Sequence, residues 1–415
     1  MKKILSLILG GTFALGAAFG LSACGGGEKD PYADIDKSLL YGMDEPLYEK
    51  GASSTSLTQV RGFDLDTTVD FVAMLGAKSF RFRMPNGFIQ SPGQYDEEIY
   101  EYLQSASEKF RNAGVTNLIG QASLFPAYSG FRPDSANSAP RPDDEHYGDW
   151  LQAVSEMWQK VAELFPEITQ WEMGNEFNTN TFFHPNGYQG IAGSLEEGVG
   201  GFSREEQVIV VTDYMYYAAK GIKAANPKNI AIMPGLSPTQ LNMKNVEYFV
   251  EDVYARIKSG EAPYGNTKSK DPDDYFGALC WHPYAKSIDE SWLQSQKDVY
   301  NIVIENGDEG KKVIFSELGF SDNGVDDVEE LQIGYTERVF EYCENELPFV
   351  ESVLSFRLYE CEYAATWGGS QESHFGFFRE PTGDKGFSPK AKAYKLQQIY
   401  GGSGDLAKYE TPAKS

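Results

Sequence analysis

Two short segments carry acids in settings that suit covalent chemistry. Residues 171–178 read Trp-Glu-Met-Gly-Asn-Glu-Phe-Asn, with Glu176 directly after Asn175. Residues 315–320 read Phe-Ser-Glu-Leu-Gly-Phe, with Glu317 near the centre. Each closes an apolar run of strand length, so each carboxylate stands at a strand end. If both strands belong to one barrel, the carboxylates meet across its mouth. Such a pair can open a glycosidic bond in two steps. One carboxylate attacks the anomeric carbon; the other protonates the leaving oxygen and later activates water. That chemistry predicts carboxyl groups about 5–5.5 Å apart.

Other runs supply supporting groups. Residues 279–284 read Leu-Cys-Trp-His-Pro-Tyr, and alternation along a strand puts His282 and Tyr284 on one face. Residues 80–85 read Phe-Arg-Phe-Arg-Met-Pro, which likewise puts Arg81 and Arg83 together. An interior guanidinium near Glu317 favours the ionised carboxylate and leaves Glu176 as the acid. Plainer readings exist for each. A buried arginine can pair with Glu172, which also points inward, in a purely structural network. His282 alone would be an ordinary core histidine. Glu360 and Glu362, ending the eighth apolar run, are rival carboxylates. Tyr363, Trp367 and His374 follow them, and Phe125, Tyr128, Phe182, Phe183 and Tyr188 sit in two earlier loops. Such rings either stack on a sugar or form a small apolar core beneath long loops.

The elements that must position these groups alternate from residue 38 onward. Strands are predicted over Leu39–Met43, Ser79–Pro85, Asn117–Ser123, Thr169–Glu176, Ile230–Leu236, Phe276–Ala285, Val313–Phe320 and Ser352–Glu360. Helices are predicted near Thr67–Leu75, with Asp66 as N-cap, and near Glu97–Ala113, Asp149–Leu164, Arg204–Ala225, Val246–Lys258, Asp289–Glu305, Val328–Glu344 and Pro389–Ile399. In the fourth, Val208, Val211, Tyr214, Met215 and Ala218 form a core-facing stripe. Unbroken strand–helix alternation predicts an α/β fold, a single (β/α)8 TIM barrel. An open doubly wound sheet is the rival, but no GxGxxG turn follows an early strand. The segments 124–148, 177–203 and 361–387 make long strand-to-helix loops, whereas Gly114-Val115-Thr116 is a short return turn. Length on one end only marks the active face of a barrel.

With the motifs in this order, the chain resembles glycoside hydrolase clan A, retaining enzymes on (β/α)8 barrels. WEMGNEFN is similar to that clan's acid/base motif, an Asn-Glu pair ending the fourth strand, and its Gly-Asn-Glu form is similar to heparanase-like and arabinofuranosidase-like families. FSELGFS resembles the nucleophile strand. The resemblance covers residues 38–401. It implies Glu176 as acid/base, Glu317 as nucleophile, and Asn175 as a contact to the sugar 2-hydroxyl. It implies a Tyr284 hydroxyl bonded to the nucleophile, with His282 beside it, and Arg81 as the arginine at the clan's usual spacing. A Trp near the eighth strand end commonly serves as sugar platform, and Trp367 stands several residues beyond that place.

Composition bounds the rest. The chain has 415 residues, 41% of them hydrophobic and 14% aromatic, enough for a large core and a ring-lined cleft. Its 61 acids against 36 Lys and Arg give a net charge of −25 with no basic run, which excludes sequence-independent nucleic-acid binding. Four scattered histidines and no CxxC predict neither metal nor cofactor. At the start, Lys2-Lys3, the apolar Ile4–Leu21 and Leu21-Ser22-Ala23-Cys24 have the order of an export signal. The last four resemble a bacterial lipobox. This predicts a lipoprotein signal over residues 1–23, lipid on Cys24 and a tether over 24–37; an uncleaved membrane helix is the alternative. The catalytic domain would then span 38–403, with a tail over 404–415. Cys280, Cys343 and Cys361 allow one disulfide or three thiols. The expected partner is a carbohydrate, the membrane being touched only through the anchor. A non-catalytic sugar-binding lipoprotein is the competing function; it would need the aromatics but neither glutamate.

Overall fold

The computed structural model describes residue 32 and residues 38–47, 65–85, 87–127, 130–190, 198–323, 328–360, 370–381 and 386–411. Its centre is a closed barrel of parallel strands. In chain order these are β1 (Leu40–Asp44), β2 (Ser79–Arg83), β3 (Asn117–Gln121), β4 (Gln170–Glu172), β5 (Ile230–Ile232), β6 (Ala278–Cys280), β7 (Lys312–Leu318) and β8 (Val350–Phe356). Each strand pairs with its sequence neighbours, and β8 returns to β1, pairing Gly42 with Leu354. Around them lie α1 (Leu65–Leu75), α2 (Glu97–Asn112), α3 (Tyr147–Leu164), α4 (Arg204–Ala225), α5 (Lys244–Ser259), α6 (Glu290–Glu305), α7 (Glu329–Asn345) and α8 (Ala391–Tyr400). This is the predicted (β/α)8 barrel, and the closure rules out the open sheet.

The strands obey alternation. On β2, Phe80 and Phe82 face the helices, and Phe80 stacks on Phe110 of α2 with ring centroids 4.1 Å apart. Arg81 points the other way, into the barrel, where it meets acids from β1, β4 and β7. Ile119, Ile232, Ala278, Cys280, Ile314 and Leu354 form a separate apolar cluster from alternate inward positions. The helices follow their amphipathic patterns. On α4, Val208, Val211, Tyr214, Met215 and Ala218 are all buried, and Ser203 and Glu206 close a capping box at its start.

Several strands end earlier than the sequence reading has them. The apolar runs predict strands to Glu176, Leu236 and Ala285, but the regular ladder stops at Glu172, Ile232 and Cys280. Beyond it only single bridges persist, Asn175 to Gly235 and Leu236 to Trp281. The backbone turns out of the ladder at Gly174 (φ 136°) and Glu176 (φ 53°). Further, α1 begins at Leu65, so Asp66 lies inside its first turn, where its charge still opposes the helix dipole. Part of the tail packs against the barrel's outer layer. Leu406 is fully buried, and the Tyr409 ring lies 5.1 Å from Phe71 of α1 while its hydroxyl donates to Asp70 at 2.5 Å. Within the predicted tether, the Tyr32 ring lies 5.8 Å from Phe349 and 6.0 Å from Tyr300. Among the described residues no helix is long and apolar enough to cross a membrane. Cys280 and Cys343 are buried free thiols; Cys361 and Cys24 lie outside the described residues.

Candidate active site

Toward the carboxyl ends of the strands the barrel interior turns from apolar to charged. Arg81 is fully buried there. Its Nε donates to Glu172 Oε2 at 2.8 Å, Nη1 to Asp44 Oδ2 at 3.1 Å and Nη2 to Asn175 Oδ1 at 2.8 Å. Short contacts also join it to Glu317 Oε1 and Glu172 Oε1. Arg83, two residues on, donates from Nε to Asp44 Oδ1 at 2.7 Å and from Nη2 to Glu317 Oε1 at 2.6 Å. One carboxylate oxygen of Glu317 therefore sits between two guanidinium groups. The other, Oε2, accepts from the Tyr284 hydroxyl at 3.2 Å.

Glu176 reaches the same place from the loop after β4. Its backbone amide donates to Gly235 O at 2.6 Å, which fixes the left-handed turn that aims the side chain. Glu176 Oε1 lies 2.9 Å from His282 Nδ1, and His282 Nδ1 lies 3.8 Å from Glu317 Oε2. Carboxylate oxygens of Glu176 and Glu317 and a nitrogen of His282 all fall within 4.8 Å of one another. A non-glycine residue with positive φ is strained, and such strain collects at functional sites.

The hydrogen bonds assign the histidine proton. Ser316 Oγ donates to Glu172 Oε1 at 3.2 Å, so its lone pairs accept from Cys280 Sγ and from His282 Nε2, both at 3.1 Å. With Nε2 protonated, Nδ1 and Glu176 share the next proton. His282 is raised above the usual imidazole range. Burial opposes its charge, but Glu317 and the Glu176 hydrogen bond outweigh burial. For Glu317 burial again opposes charge, and His282, Arg83 and Arg81 overcome it, holding this carboxyl well below the usual range. Tyr284 is pushed well above an ordinary phenol by burial and by Glu317, which keeps it a donor.

The sequence-predicted groups Arg81, Arg83, Asn175, Glu176, His282, Tyr284 and Glu317 thus converge on one point. Both readings of the arginines hold at once, since Arg81 bridges Glu172 and Glu317. Asn175 spends its oxygen on Arg81. The rival Glu360 does not join the group; it pairs with Lys390, which also holds Asp322 at 2.7 Å. Glu362, Tyr363, Trp367 and Tyr128 lie outside the described residues. Phe125 and Phe183 pack with Phe177 and Tyr214 as the predicted apolar core beneath the loops. Asp44 and Ser316 are further polar groups of the site that the sequence reading missed. Asp44 was legible as a charge one residue beyond the first apolar run.

Among the described residues two trios are compact enough to interest a cation: Glu176, His282 and Glu317, and Glu172, Cys280 and His282. Their donors are already committed. Glu317 is shared by the two arginines, and Glu172 takes Arg81, Ser316 and the Gly235 amide. Burial raises the Cys280 thiol well above its usual range, so it resists becoming a thiolate ligand.

No family model matches this sequence. No curated protein matches it either. Solved structures do share its fold. A β-glucosidase from Exiguobacterium marinum superposes with a TM-score of 0.58 at 13% identity, covering 88% of this chain and 98% of that one. GH5_18 from Streptomyces cattleya, solved in complex with GlcNAc, gives 0.56 at 13% over 88% and 80%. A family 39 glycoside hydrolase from Bacteroides cellulosilyticus WH2 gives 0.55 at 14% identity; the match covers 88% of this chain but only 64% of that longer one. The fold is thus the one that the clan A resemblance implies.

Proposed function

We propose that this chain is a retaining glycoside hydrolase acting on a polysaccharide or oligosaccharide, with Glu317 as nucleophile and Glu176 as acid/base. One observation carries the reading: carboxylate oxygens of these two residues lie within 4.8 Å at the mouth of a (β/α)8 barrel. An inverting pair would need carboxyl groups roughly 6.5–9.5 Å apart, to admit a water between acid and sugar. The electrostatics divide the roles. Arg81 and Arg83 hold Glu317 ionised, as a nucleophile requires, and occupy its Oε1. Oε2, which among the described residues accepts the Tyr284 hydroxyl at 3.2 Å and has His282 Nδ1 at 3.8 Å, is the oxygen left to attack.

In the first step Oε2 bonds to the anomeric carbon, the glycosidic bond breaks, and Glu176 gives its proton to the departing oxygen. In the second, Glu176 takes a proton from water, the water oxygen bonds to the same carbon, and Glu317 leaves as carboxylate. His282, sharing a proton with Glu176 at 2.9 Å, stabilises both protonation states of that residue. Asn175, whose oxygen is held by Arg81, would contact the sugar through its amide nitrogen. The fold shared with a β-glucosidase and a family 39 glycoside hydrolase agrees with this chemistry.

We also propose that the chain is exported and held to a membrane by lipid on Cys24, on the strength of the lipobox-like Leu21-Ser22-Ala23-Cys24 and the glycines after it. Proton NMR of the first product released from an aryl glycoside tests the mechanism. Retained anomeric configuration is expected; inversion overturns the geometry, and no turnover across aryl glycosides and polysaccharides favours a non-catalytic sugar binder.

A further inference from the structure

His282 can serve Glu176 in two ways, and the choice between them is made on the far side of its ring. A neutral imidazole carries one N–H and one bare nitrogen. With the hydrogen on Nε2, the bare Nδ1 accepts from a protonated Glu176 across their 2.9 Å contact. With the hydrogen on Nδ1, the same contact suits only the Glu176 carboxylate. The first tautomer keeps an acid ready for the leaving oxygen. The second removes it.

Ser316 faces that choice. Its Oγ lies 3.1 Å from His282 Nε2, 3.1 Å from Cys280 Sγ and 3.2 Å from Glu172 Oε1, and all four residues are fully buried. A hydroxyl has a single hydrogen to share among these neighbours. Arg81 grips the Glu172 carboxylate, with Nε 2.8 Å from Oε2, and a carboxylate cannot donate. The Ser316 hydrogen therefore goes to Glu172, and His282 Nε2 is left to donate. Arg81 also meets Glu317, so one buried chain of polar contacts runs from Glu317 through Arg81, Glu172, Ser316 and His282 to Glu176.

We propose that Ser316 is a positioning residue for the acid/base: by accepting from Nε2 it holds His282 in the tautomer whose bare Nδ1 supports protonated Glu176. The proposal rests on the glycosidase reading and on those roles for Glu176 and Glu317. The task needs a lone pair toward the imidazole and a hydrogen toward Glu172 at one atom. Threonine offers both, and alanine offers neither. Other charged or titratable groups face the Glu176–His282 pair. They are Asp44 of β1, Arg81 and Arg83 of β2, Glu172 of β4, and Cys280 and Tyr284 on and after β6. Glu317 of β7 stands 3.8 Å from Nδ1, and the charge of Glu372, after β8, also interacts with that of Glu176. These groups set how readily the pair holds a proton. The bond at Nε2 sets where the neutral ring keeps its own.

Two variants separate this role from a structural one. In Ser316→Ala the neutral ring should move its hydrogen to Nδ1, where the Glu176 carboxylate accepts it. For an alkyl glycoside, whose leaving group needs a proton, kcat/KM should then fall at least about tenfold. For a dinitrophenyl glycoside, which needs none, it should change less than about threefold. The basic limb of the alkyl-glycoside profile should move to lower pH, because the carboxylate gains a donor without a charged ring. Ser316→Thr should restore rate and profile. Equal losses on both substrates, no change on either, or a folded threonine variant as impaired as the alanine one would each overturn the proposal. Nitrogen-15 NMR of histidine-labelled protein reads the tautomer without turnover, the His282 signals being those absent from His282→Gln. Above the titration of the ring, the N–H should be on Nε2 in the unaltered protein and on Nδ1 in Ser316→Ala. A bare Nε2 in the unaltered protein, or one tautomer in both, overturns the proposal. A protein inert on every glycoside whose tautomer switches as expected would instead sink the glycosidase reading alone.

Discussion

At the scale of single residues, the two glutamates should fail in different ways. Glu317→Gln replaces the nucleophilic carboxylate with a neutral amide, so turnover of every substrate should fall by roughly 10⁴ or more. Glu176→Ala removes the proton donor, which matters only for a poor leaving group. With an activated aryl glycoside the first step is spared, the second lacks its base, and the covalent intermediate accumulates as a burst. Azide, which needs no general base, should then speed turnover and yield a glycosyl azide of retained configuration. A burst in the Glu317 variant and none in the Glu176 variant would reverse the roles. Most of this site was legible because β-strand alternation is rigid. Alternation puts Arg81 and Arg83 on one face of β2, whereas Glu317 follows the inward Ser316 at a register shift of β7, and His282 and Tyr284 keep the inward parity of Cys280 beyond the end of β6. What escaped was Asp44, lost when the first strand was ended at Met43.

At the scale of elements, the strands end early so that the site can be built. The apolar pattern continues past Glu172, Ile232 and Cys280, and pattern alone cannot tell a ladder from an extended segment that leaves it. Gly235 shows why the departure matters. A Cβ there would stand 2.3 Å from His282 Nε2 and 2.8 Å from Glu172 Oε1. Gly235→Ala should cost about 1–3 kcal/mol of stability and, by moving His282 off Glu176, lower kcat more than tenfold. Gly93→Ala, with nothing within 4 Å of the added carbon, is the control and should be silent in both melting temperature and rate. On the outer layer, Asp213 of α4 accepts from the Tyr147 hydroxyl at 3.0 Å and the Tyr264 amide at 2.9 Å. Burial outweighs these bonds and lifts it to about 6. The folded form therefore holds a proton that the unfolded chain has released, and stability falls as pH rises from about 4 through about 6. Asparagine fits the same two partners without charge. Melting temperatures of Asp213→Asn should lose that slope; a slope unchanged from the unaltered protein would show that another group causes it.

At the scale of the whole molecule, the barrel has a chemical end and an opposite end, and the proposed anchor would attach nearer the latter. Tyr32 packs on Phe349, just before β8, and on Tyr300, whose hydroxyl donates to Lys311 O just before β7. These contacts lie at the amino ends of the strands, whereas Glu176 and Glu317 stand at the carboxyl ends. Only eight peptide links (32 − 24) join Cys24 to Tyr32, and they reach at most about 29 Å. A lipid on Cys24 would hold the amino-end face near the membrane and turn the cleft outward, open to polymeric sugar. The net charge of −25 adds repulsion from an anionic lipid surface, so attachment should depend on the acyl chains and not on surface charge. Expressed in a bacterium, the unaltered chain should fractionate with membranes, resist extraction by 1 M salt as acyl insertion requires, and gain the mass of lipid at Cys24. Cys24→Ser should leave the membrane fraction or fail to be processed. Membrane fractionation that survives this substitution, in a chain with no lipid attached, would instead favour an uncleaved membrane helix.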